Sequence, residues 1–96
     1  MNSVIQITTA TTGTVTAQDT KQDLVIVHDA AALTLTIQMP ASPVDGQTVI
    51  VTTSGGITAL TLSAVVGTIV SALGTLSIGS TGRYIYSAVQ NKWFRF

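Results

Sequence analysis

The 96-residue chain has no cysteine and no glutamate, and its formal charge rests on four aspartates, two lysines and two arginines. Without thiols there are no disulfides and no thiolate-held zinc, and redox compartment leaves no trace in the composition. The charges cancel, so the basic footprint of a nucleic-acid binder is missing, as is an acidic tail. Charged residues make up 8% of the chain, against about 25% in ordinary soluble domains. No basic segment or long apolar run follows Met1-Asn2-Ser3-Val4, so a Sec-type leader is not expected. Absent too are the glycine patterns of nucleotide-binding loops, the G-x-S-x-G turn of serine hydrolases and the D-x-D-x-D-G loop of calcium sites. The four aspartates (Asp19, Asp23, Asp29 and Asp45) are spread along the chain and form no paired-carboxylate motif. No catalytic residue, metal ligand or cofactor is expected, and the chain reads as a non-enzyme.

What is abundant is β-branched. Seventeen threonines, eleven valines and nine isoleucines account for 37 of 96 residues, and their stiff χ1 angles suit a pleated surface. At 46% hydrophobic residues the chain is too apolar for a solvated disordered segment, and its length fits one domain with a modest core. Across residues 46–82 no side chain is charged, and 57–78 is a 22-residue window with 13 apolar residues, long enough for a bilayer-spanning helix. Hydroxyls interrupt that window, and Leu60-Thr61-Leu62-Ser63 and Thr75-Leu76-Ser77-Ile78 alternate with the period of a strand. No aromatic belt flanks it, so membrane insertion is not expected.

The clearest predicted strand is 33–39, with Leu33, Leu35, Ile37 and Met39 on one face and Thr34, Thr36 and Gln38 on the other. Pro40, Pro43 and Asp45-Gly46 supply the turn after it. Strands are expected at 48–52, 60–64 and 75–78, with a further short one near Gly67, and Ser54-Gly55-Gly56 marks a break. The close reads as a hairpin, 83–88 and 92–96 around a turn at 89–91. Residues 24–27 are apolar on both faces, as in a strand buried twice. Residues 1–22 read as an N-terminal arm or weak strands (4–7 and 14–17), ahead of a β domain at 23–96. A faint repeat supports stacked hairpins: Leu33-Thr34-Leu35-Thr36 returns as Leu60-Thr61-Leu62-Ser63, and Val25-Ile26-Val27 echoes in Val49-Ile50-Val51. The expectation is an all-β fold, an antiparallel β-sandwich or barrel-like roll of seven to nine short strands.

Two clusters merit comparison. His28-Asp29 is the one histidine–carboxylate neighbour pair, but adjacent strand residues point to opposite faces, so it reads as an end-of-strand pair serving turn hydrogen bonds. All five aromatic residues, Tyr84, Tyr86, Trp93, Phe94 and Phe96, fall in the C-terminal hairpin. Tyr84 and Tyr86 share one face, as do Phe94 and Phe96. Packing in a core or interface is the leading expectation, with Arg83 and Arg95 flanking the rings; exposed stacking on a host surface glycan is the alternative. Few charges also leave strand edges and apolar faces poorly protected, which favours burial against other chains in a homo-oligomer.

The stretch 23–96 resembles β-rich domains of bacteriophage virion surface proteins: tail fibres, spikes and small capsid-attached proteins. The resemblance is carried by Asp23-Leu24-Val25-Ile26-Val27, by Leu33-Thr34-Leu35-Thr36-Ile37 leading to Met39-Pro40, and by Pro43-Val44-Asp45-Gly46-Gln47. It continues through Ile57-Thr58-Ala59-Leu60-Thr61-Leu62 and closes on Tyr84-Ile85-Tyr86 with Lys92-Trp93. It covers about three quarters of the chain and is a pattern of strands and turns, without a catalytic signature. It implies a virion structural protein, trimeric, with the major capsid protein or other virion proteins as partners. No stalk or coiled coil is present, which favours a capsid decoration or cement protein over a receptor-binding tip of a tail fibre or spike.

Overall fold

A computed structural model describes residues 3–70 and 74–96, and among them are nine strands and no helix. In chain order these are β1 (Ser3–Thr8), β2 (Thr14–Thr16), β3 (Asp23–His28), β4 (Ala32–Gln38), β5 (Thr48–Thr53), β6 (Ile57–Ser63), β7 (Thr68–Val70), β8 (Thr81–Ser87) and β9 (Lys92–Arg95). The all-β expectation is met. The pairing is not the antiparallel one expected: five of the seven strand pairs are parallel. The chain crosses from one sheet to the other and back, so β1, β3 and β5 stack in parallel in the large sheet while β2, β4 and β6 stack in parallel in the small one. The result is a solenoid-like stack of about three turns. Parallel neighbours demand a crossover between them, and here each crossover is a strand of the opposite sheet. β8 and β9 then add antiparallel to the third turn and β7 pairs parallel with β9, giving a six-stranded order β1-β3-β5-β8-β9-β7.

Segment 1–22 supplies the first turn over its described residues: β1 lies in register with β3, and β2 with β4. The stack also explains the faint repeat and shows where it misleads. Leu24 stands opposite Val49, and Leu35 opposite Leu60, so both sheets advance by 25 residues between the second and third turns. The Leu-Thr words align at 27 residues, one pleat out of register. The Val-Ile-Val echo aligns at 24, a one-residue slip that puts matched residues on opposite faces.

The core lies between the sheets. Leu24, Ile26, Val49 and Val51 face Leu35, Ile37, Met39 and Leu60, and Tyr84, Tyr86 and Trp93 continue it under the hairpin. Leu33 does not join them as its alternation suggested; it is 77% exposed. β4 turns a corner at Leu33–Thr34, giving two exposed residues in succession, and β6 repeats the same buried–exposed–exposed–buried pattern at 57–60. The expected strand at 75–78 is reduced to a single antiparallel bridge between Leu76 and Ile57. β3 is fully buried only on its inner face; Val25 and Val27 lie on the outer face, half-buried.

Turn chemistry holds successive turns close. Ala32 donates its amide to the Gly56 carbonyl (3.0 Å) and Ser54 to that of His28 (3.0 Å), so the β5–β6 turn sits against the β3–β4 turn. A Cβ on Gly55 would overlap the Ala30 carbonyl and the Ala31 nitrogen, so only glycine lets the two backbones approach this closely.

Candidate functional site

His28, the residue with the widest chemical repertoire, is fully buried at the end of β3. Its Nε2 lies 2.6 Å from the Ala10 carbonyl, which can only accept, so Nε2 carries the proton. Nδ1 is 3.2 Å from Thr53 Oγ1, and that hydroxyl also accepts the amides of Gly55 (3.3 Å) and Gly56 (2.9 Å). Thr53 therefore donates to Nδ1 and accepts from the turn, and the imidazole is held between fixed partners. The neighbouring Asp29 points the other way, as expected, and its carboxylate accepts from Ser54 Oγ at 2.7 Å.

The other three aspartates do similar local work. Asp19 accepts from the Ser42 amide and pairs with Lys21 at 3.6 Å; Asp23 accepts from the Thr48 amide; Asp45 accepts from the Ala88 amide at 2.9 Å. Each carboxylate serves a backbone or turn donor rather than a shared centre. Among the described residues no group of three or more His, Cys, Asp or Glu is placed to hold a metal ion, and no helix is long and apolar enough to cross a membrane.

The aromatic hairpin divides by face. Tyr84 and Trp93 are fully buried and Tyr86 nearly so; Tyr86 and Trp93 stand opposite each other on β8 and β9, ring centroids 5.2 Å apart and tilted by 52°. Tyr86 also donates its hydroxyl to Asn91 Oδ1 at 2.7 Å, tying the ring to the turn that made the hairpin. These three rings are covered and offer no platform for stacking a sugar. Phe94 lies half-buried on the outer face of the large sheet. Phe96 is exposed, with the Arg83 guanidinium 5.4 Å over its ring centroid, and Arg95 is exposed at the end of β9.

The two outer faces of the stack differ sharply. On the small sheet, Thr14, Thr36 and Thr61 stand opposite one another across the three strands, and the Thr12 and Thr34 hydroxyls approach to 3.3 Å. That face is coated with hydroxyls. On the large sheet the outward positions hold Ile5 and Ile7 from β1, Val25 and Val27 from β3, Ile50 from β5, Ile85 from β8 and Phe94 from β9, set beside Thr48, Thr52, Thr81 and Ser87. Ile5 and Ile7 are 63% and 70% exposed. A separate open cleft of about 360 Å³ lies where Leu33 and Ile78 flank Gly56, Ile57 and Leu76, with no charged side chain in its lining.

Reasoning from the sequence located the aromatic cluster but missed the outward row of the large sheet. Its trace was there: residues 24–27 are apolar on both faces, and the second face is the one left uncovered. Compared with known protein families, curated proteins and solved structures, the chain matches none.

Proposed function

We propose that the chain is a non-enzymatic structural protein of a bacteriophage virion, a small trimeric capsid decoration or cement protein that works by burying surface. The observation that supports this reading best is the uncovered apolar face of the large sheet, on a chain that elsewhere coats its outer face with threonine. Isoleucine and valine set side by side in water gain about 25 cal/mol per Å² when a partner covers them. Placement in a virion draws on the resemblance of the strand-and-turn pattern, and the major capsid protein is the partner that reading implies. A trimer bound across several shell subunits dissociates only when its contacts break together, which gives a weakly bound unit a durable hold.

The experiment is reconstitution. Purified chain is added to heads of the encoding phage that have been stripped of it, and the heads are then heated. Bound chain with a raised temperature of head disruption is the expected result. Chain that stays unbound while the heads melt unchanged would overturn the decoration role, and binding to host cells instead would favour the receptor-binding tip.

A further inference from the structure

We infer that the outer face of the large sheet is where copies of this chain meet, the occupant being a second copy of the same face. This rests on the reading of the protein as an assembly unit and specifies its surface.

The small sheet serves as an internal control. Both sheets are built from the same three turns in nearly the same register, yet the outward positions of β2, β4 and β6 carry mostly hydroxyls, while those of β1 and β3 carry Ile5, Ile7, Val25 and Val27 and β5 sets Ile50 between Thr48 and Thr52. Solvation alone would treat the two faces alike. The difference follows if one face meets water and the other is covered.

Size agrees with a copy as the cover. Six strands at about 4.8 Å spacing span about 24 Å, and strands of this length rise about 20 Å, a flat footprint of roughly 500 Å². Side-chain relief raises the accessible area above that figure, toward the roughly 800 Å² per partner of a stable interface. The charge pattern is compatible with a copy. Asp23 on β3, Arg83 on β8 and Lys92 on β9 are the charged residues at outward positions within the face. Both signs are present, so a copy laid against the face offers cations to its carboxylate and a carboxylate to its cations. Three such faces turned toward a common axis also close into a prism, so the same surface serves a trimer.

The absence of cysteine makes the test clean, because one introduced thiol is then the only one. Val27→Cys places it on the face, and Thr36→Cys places it on the hydroxyl face as a control. Each is alkylated with iodoacetamide across a dilution series while solution mass is followed by light scattering. The expected result is an oligomer in which the Val27→Cys thiol reacts at least tenfold more slowly than the Thr36→Cys thiol, with the protection vanishing as the mass falls. A triple variant, Val25→Thr, Val27→Thr and Ile50→Thr, gives the outward rows the chemistry of the small sheet and should be a folded monomer. An oligomer whose Val27→Cys thiol reacts as fast as the control would overturn the choice of face and leave the assembly reading standing. A wild-type chain that is monomeric at every concentration would overturn both.

Discussion

Inside this protein the buried side chains of His28, Thr53 and Gln47 all find hydrogen-bond partners, while Trp93 Nε1 is buried without one among the described residues. His28, Thr53 and the Gly55 and Gly56 amides form one closed set, in which the threonine hydroxyl donates once and accepts twice. Thr53→Val keeps the shape and removes all three bonds, so we expect it to lower unfolding stability by about 2–4 kcal/mol in urea titration. Thr53→Ser, which retains the hydroxyl, should recover most of that loss; equal losses for the two variants would mean the hydroxyl network contributes nothing. Gln47 plays a comparable part at the opposite end of the strands. Its buried side chain donates to the Gln22 carbonyl (2.8 Å) and accepts from the Val44 amide (3.1 Å), joining the segments that enter β3 and β5. None of this was visible in the residue string, where His28 had only Asp29 as an evident neighbour. Its true partners lie 18 and 25 residues away, brought close by stacking of turns.

Among elements, the strands were largely legible and their partners were not. Alternation located β4 and β6, because a strand with one buried face must repeat every second residue, while an apolar run located β3 and turn signals delimited β5 and the β8–β9 hairpin. Parallel and antiparallel pairs ask for the same alternation, so residue patterns alone could not choose between them. The corner at Leu33–Thr34 escaped for a related reason: two outward residues in succession are a bend, and in a sequence this rich in Leu-Thr words a bend looks like continued pleating. Gly55→Ala tests the stacked turns. It should destabilise the fold by about 3 kcal/mol, since the backbone of Ala30 and Ala31 has to move, whereas Gly74→Ala meets open space and should change little. Thermal unfolding of the two variants side by side decides this, and matched melting temperatures would contradict the close approach. At the free edge of β2, Gln6 replaces a missing neighbour: its amide donates to the Thr16 carbonyl and accepts from the Gln18 amide, both at 2.9 Å. Gln6→Leu should cost about 1 kcal/mol and make the chain more prone to aggregate, because it exposes edge groups ready to pair with another strand. Turbidity on prolonged incubation reads the second effect, and an unchanged record would show that the edge needs no such cover.

For the whole molecule, the distribution of chemistry is the central fact. Titratable groups are few, and the aspartates serve backbone or turn donors; hydroxyls cover one outer face, and the other sets isoleucine, valine and phenylalanine among threonines and three charged residues. The hairpin aromatics that stood out in the sequence are mostly core, and the surface that sets the proposed function is made of ordinary isoleucine and valine whose outward placement emerges only once the strands are stacked. If that surface is covered by sister chains, association must outlast dilution, because the alternative is to return a broad apolar face to water. Light scattering of the purified chain over a concentration series is the most direct measurement. A mass of three chains that holds into the low micromolar range is the predicted result; a single-chain mass at all concentrations would contradict the account.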